Sequence, residues 1–245
     1  MGYADDAVAV LIGLVVPALG YRQQRQGLLR AGGPGAVPKV ALYWNASLSL
    51  VVLCAAAVLA WLAAARPLAE LGLQAPERPG TGAIIAAVFL VLYLADTRHE
   101  LSPRRIEATR LRWRRNTPFL PQTGRELAHS MVLVTAASVC EEIMYRGFLI
   151  AYLIGLLGAS GVDLTLAVSL PAIAFALAHT YQGGQAVVKI VALAVIFGAI
   201  FVVTGSLWLS MALHFVVDAI GMLLGRSLLG APGARAAEAL DDGGV

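Results

Sequence analysis

Charge is what this sequence has least of. Asp, Glu, Lys and Arg make up 13% of its 245 residues, about half the share in an ordinary soluble domain. That deficit excludes a soluble globule covered in ion pairs. Cysteine is scarce as well: Cys54 and Cys140 are the two present, both inside apolar runs. A disulfide scaffold is excluded, and the pair reads as two small core residues. The first apolar run lacks a basic leader, since Asp5 and Asp6 are the charged residues ahead of it, so a retained span is expected rather than a cleavable signal peptide. No lipid anchor is expected either, because Asp6 stands where a myristoylation signal wants Ser or Thr.

Hydrophobic residues fill the space that charge vacates, at 59% of the chain. A span must cross a hydrocarbon core of about 30 Å. Apolar runs of that reach occur near residues 4–20, 42–64, 80–96, 127–155, 163–180, 185–203 and 206–225. The expected fold class is therefore all-α: a polytopic bundle of about seven transmembrane helices. The fourth run is long enough that it must tilt or project from the bilayer. Thr204-Gly205-Ser206, at the junction of the last two runs, suit a tight reversal.

Basic residues set the expected orientation. Arg22, Arg25, Arg30 and Lys39 lie between the first two runs, and eight arginines from Arg98 to Arg125 lie between the third and fourth. With both loops cytoplasmic, the amino terminus lies outside, the carboxyl terminus lies inside, and every alternate loop agrees. A multi-pass protein of a bacterial cytoplasmic membrane is expected. The loop from Asp96 to Glu126 mixes Ile106, Leu111 and Trp113 with arginines, the pattern of a helix lying at the interface against anionic headgroups. Trp113 is the one aromatic within the cluster from Arg104 to Arg115, and without a nucleic-acid motif no nucleic-acid partner is expected. Gly32-Gly33-Pro34-Gly35 reads as a flexible turn.

Against this background Glu141-Glu142-Ile143-Met144-Tyr145-Arg146 stands out, because it sinks three charges into the fourth run. At the bilayer centre each costs roughly 2.5 to 3.5 kcal/mol, so intramembrane ionisable residues mark functional sites whose partners face the bundle interior. On a helix Glu142 and Arg146 share a face and can pair, whereas Glu141 points about 100° away and is left free. Two other runs supply partners at the same spacing of four: Phe175 with His179, and His214 with Asp218. A carboxylate buried among apolar helices is a natural general base, which suits Glu141. His179 could share its water. His214, with Asp218 one turn on, could donate to a developing oxyanion. Glu141, His179 and His214 also make an ordinary zinc ligand set, so zinc-assisted and metal-free sites both stay open.

The three motifs, Glu-Glu-x-x-x-Arg at 141–146, Phe-x-x-x-His at 175–179 and His-x-x-x-Asp at 214–218, resemble in order and placement those of the CPBP intramembrane proteases, the CAAX protease and bacteriocin-processing or Abi family. The resemblance covers about residues 127–225. It implies a helical core with the active site inside, in which Glu141, Glu142, Arg146, His179, His214 and Asp218 hold or activate the hydrolytic water, with or without zinc. It implies a membrane-tethered or hydrophobic peptide as substrate, prenylated in some members. Many members carry Asn at the position of Asp218 and have about eight spans. The domain organisation expected is residues 1–126 as amino-terminal spans with the basic loop, 127–229 as the core, and 230–245 as a disordered tail. Two other classes fit the same residues: a proton-coupled transporter, since Glu, His and Asp within spans also form proton relays, and a non-catalytic membrane scaffold or immunity factor.

Overall fold

In the computed structural model, residues 2–26 and 38–230 are described, and among them every regular element is a helix. Among the described residues seven helices are long and apolar enough to cross a membrane: α1 (Tyr3–Arg22), α2 (Lys39–Ala63), α3 (Pro79–Glu100), α5 (Gly124–Leu157), α6 (Gly161–Ala178), α7 (Gly184–Thr204) and α8 (Trp208–Leu229). A further helix, α4 (Ile106–Asn116), lies in the basic loop where the interfacial helix is expected. The expected turn at Gly32–Gly35 and the tail from residue 231 lie outside the described residues. Leucines, valines and isoleucines stand exposed along the outward faces of the spans, among them Val52, Ile84 and Val91. Water would penalise that surface, whereas lipid is its natural solvent. The protein is an integral, multi-pass membrane protein.

Helix α5 is the pillar of the bundle. It starts where Thr123 caps it, its hydroxyl accepting from the backbone N–H of Glu126 at 3.1 Å, in a Thr-x-x-Glu capping pattern. At 34 residues and about 1.5 Å per residue it is longer than the bilayer core, as the long fourth run requires. It packs against α2 and α8, and one apolar cluster joins Ile12, Ala57 and Trp61 of the first two spans to Ile143, Phe148 and Leu149 of α5. The amino-terminal spans and the motif-bearing spans thus share a core across residue 126. The α7–α8 reversal is tight, with Gly205 at φ 63°. That is the left-handed region, where a side chain would be strained.

The loop of residues 64–78 does more than connect α2 to α3. Leu71 is fully buried, the Gly72 carbonyl accepts from Leu207 N–H at 2.9 Å, and the Ser206 hydroxyl donates to the Gln74 carbonyl at 2.7 Å. Arg66 ion-pairs with Asp5 and lies over the Trp61 ring at 3.9 Å. The loop is thereby stitched across the end of the bundle opposite α4, and it reaches α5 at Gly147.

Candidate active site

Residues Glu142–Leu149 form a π-helical stretch within α5, and all eight are buried. A helix expected to run with regular α geometry through the motif is therefore wider there. Such segments concentrate at functional sites, and here the stretch begins at Glu142, whose carboxylate meets His214 of α8. Glu142 and Arg146 pair as expected, Oε1 to Nη1 at 3.0 Å, with both side chains shut off from the outside. Arg146 lies in an aromatic slot, its guanidinium 4.6 Å from the Phe175 ring centre and 5.6 Å from that of Phe197. Cation–π attraction in a desolvated slot offsets part of the penalty for burying the charge.

His214 joins the two carboxylates. Its Nδ1 lies 2.8 Å from Glu142 Oε1. Since a carboxylate paired with arginine accepts, Nδ1 carries the hydrogen. Its Nε2 lies 3.6 Å from Glu141 Oε2 and 3.6 Å from Asp218 Oδ2. The spacing within α8 predicts Asp218 as the partner of His214, yet the short hydrogen bond goes to Glu142. That cross-helix contact depends on the rotation of α8 against α5, which spacing within one helix cannot reveal.

His179 ends α6 and opens the short 3-10 turn Thr180–Gln182. Its Nδ1 donates to the Phe175 carbonyl at 2.8 Å. That bond leaves the lone pair on Nε2. His179 contacts the rest of the site through rings, 4.5 Å from Phe175, which in turn lies 6.1 Å from His214. The motifs do not flag Tyr181. Its ring lies 5.8 Å from His179, and it lines the same cavity. Burial pushes its phenol above the ordinary value, so it stays a neutral donor at neutral pH. Its position in the turn two residues after the motif histidine is the only hint the sequence carries.

A cavity of about 1590 Å³ unites these groups, with Glu141, His179, His214 and Asp218 on its wall. Glu142 and Arg146 are behind that wall. One carboxylate therefore faces a ligand while the other is spent on holding His214 and Arg146. The cavity extends to α4, where Arg112, Arg115 and Asn116 line it.

A catalytic zinc ion needs three converging protein ligands. Among the described residues no three His, Cys, Asp or Glu side chains converge closely enough to hold a metal ion. Glu141, His179 and His214 share the cavity without that ligand geometry. Cys54 and Cys140 are free and buried, as expected of core residues.

Residues 123–220 match the family model described as type II CAAX prenyl endopeptidase Rce1-like. Over this segment the chain is similar to the CPBP, or CAAX protease, family. The matched stretch runs from the cap of α5 into α8 and contains all three motifs. No curated protein and no solved structure matches it.

Proposed function

We propose that this protein is an intramembrane endopeptidase that cleaves a membrane-tethered peptide, with prenylated carboxyl-terminal segments as the first class to test. The observation that carries the reading is the geometry at His214. Its Nε2 faces both Glu141 and Asp218 at 3.6 Å, inside a cavity, while its Nδ1 is held by an ion-paired glutamate. Those gaps are too long for direct hydrogen bonds and leave Nε2 and the carboxylates free to bind one reacting oxygen placed beside them.

Glu141 takes a proton from water as the oxygen attacks the scissile carbonyl. The carbonyl becomes a tetrahedral oxyanion and accepts from Nε2–H of doubly protonated His214, whose position Glu142 fixes in advance. Glu141 then passes its proton to the leaving amine, the C–N bond breaks, and the carboxylate is restored. His179, with its lone pair on Nε2, shares the water, and Asp218 orients His214. Arg146 balances Glu142, and the charge of a protonated His214 is offset by the carboxylates that face its Nε2.

Orientation supports an entrance on the cytoplasmic side. The cavity reaches α4 within the arginine-rich loop, which the positive-inside rule assigns to the cytoplasm, while the loop of residues 64–78 covers the opposite end. The transporter reading has less support, because the ionisable groups gather in one cavity with a closed far end instead of lining a path through the bundle.

The test is turnover. Purified protein in liposomes should cleave a prenylated, internally quenched peptide of CAAX form and carry no proton current. Proton flux without cleavage would replace the proposal with the transporter reading, and neither activity would favour the scaffold.

A further inference from the structure

The cations that line the cavity are not equivalent. Arg112 is paired with Glu100 at 2.5 Å and donates to Gln185 at 2.9 Å; Lys189 is paired with Asp96 at 2.6 Å and Glu100 at 3.3 Å. Arg115 also lines the cavity, yet among the described residues it has no acidic partner. On the carboxylate side, Glu141 and Asp218 face His214. One full positive charge is thus left over at the α4 end of a cavity whose other end holds the candidate hydrolytic groups.

The architecture keeps that end of α4 beside the site. A side chain at Gly183 would meet Asn116 Nδ2 at 2.6 Å, so the residue after Arg115 packs directly against the turn that follows His179. Four residues beyond Arg115, the Phe119 ring meets Tyr181 at 5.7 Å, and Tyr181 meets His179 at 5.8 Å. An extended peptide covers about 3.3 to 3.6 Å per residue, and the ring steps of 5.7 and 5.8 Å from Phe119 through Tyr181 to His179 keep the end of α4 within reach of a short peptide. The bidentate fork of arginine matches a carboxylate. Helix α4 is anchored through Thr109, whose hydroxyl donates to the Glu100 carbonyl at 3.1 Å.

We infer that Arg115 is a specificity residue that binds the free terminal carboxylate of the peptide lying in the cavity. This deepens the endopeptidase reading and takes from it the direction in which the peptide lies. Arg115 selects substrates whose scissile bond is a few residues from the carboxyl terminus, and rejects internal segments and amidated ends.

The test pairs two probes, a prenylated CAAX-form peptide ending in a free carboxylate and the same peptide ending in an amide. Binding is read by fluorescence anisotropy with the full chain in neutral-lipid nanodiscs, so the result does not depend on turnover. Wild type should bind the acid about tenfold more tightly than the amide, the scale of one charge-assisted hydrogen-bonded pair. Arg115→Gln should abolish that preference by weakening the acid alone, and Arg115→Lys should keep part of it. Arg114→Gln removes a neighbouring exposed arginine that does not line the cavity and should keep all of it. If the protein also cleaves the peptide, the loss in Arg115→Gln should fall on KM rather than kcat. Equal binding of acid and amide by wild type would overturn the inference, as would a preference that survives Arg115→Gln. A preference seen only when anionic lipid is added would assign Arg115 to headgroups and overturn it too. Absence of cleavage with the acid preference intact would count against the hydrolytic reading alone.

Discussion

Adjacent glutamates of the same chemical type stand here in opposite situations. Glu142 is fully enclosed, bound to Arg146 at 3.0 Å and to His214 at 2.8 Å, while Glu141 keeps a side chain 12% exposed on the cavity wall. Glu142→Gln should destabilise the fold, because it strands the buried Arg146 charge and weakens the acceptor of His214; breaking such a pair costs about 3 to 5 kcal/mol. Glu141→Gln should leave the thermal unfolding midpoint in detergent close to wild type while removing hydrolysis. Matching midpoints for the two variants would refute this division. Asp218 offers a second comparison. It lies 3.6 Å from His214 Nε2. Asn, which has the same shape and still hydrogen-bonds, should retain measurable cleavage, whereas Ala should lose it. An Asp218→Asn variant as inactive as Asp218→Ala would mean that its charge, rather than its orienting contact, is required.

Among the elements, the π-helical stretch of α5 and the loop of residues 64–78 meet at Gly147. A Cβ added there would fall 2.6 Å from the Leu71 carbonyl oxygen, a contact backbone cannot relieve cheaply, whereas at Gly80 it would meet open space. Gly147→Ala should therefore lower the unfolding midpoint by an amount corresponding to about 1 to 3 kcal/mol, with Gly80→Ala as the neutral control. Equal midpoints would show that the loop is not seated on α5. This contact was not legible in the sequence, nor was the π geometry, since a change from i−4 to i−5 backbone bonding leaves no mark in apolar periodicity. The spans were legible, because hydropathy over about 20 residues is a direct consequence of bilayer thickness. The pairing of Glu142 with Arg146 was legible too, being local to one helix. Its second partner, His214, was not: 72 residues separate them, and helix rotation, which no single-helix spacing encodes, decides which face meets which. Arg115 reads in the sequence as one arginine of a basic loop, and only the fold separates it from Arg112 and Lys189, the neutralised cations on the same cavity wall.

For the molecule as a whole, asymmetry is the organising property. One end of the bundle is covered by a loop fastened to α8, and the cavity reaches the other end beside the arginine-bearing α4. If that end is cytoplasmic, a cysteine introduced at Gln74 should react with an impermeant thiol reagent in intact cells, and one at Arg110 should react only after lysis. The native Cys54 and Cys140 are buried and should give little background. Labelling at Arg110 before Gln74 would invert the orientation and place the cavity entrance on the outer side. The central claim, that Glu141 delivers water to a peptide bond inside this cavity, is tested most directly by cleaving the prenylated peptide in water enriched in heavy oxygen and weighing the products. Wild type should place one heavy oxygen in the newly formed carboxylate of the amino-terminal fragment, and Glu141→Gln, folded to the same midpoint, should form no product. Cleavage by Glu141→Gln at the wild-type rate, with the label still incorporated, would contradict the account.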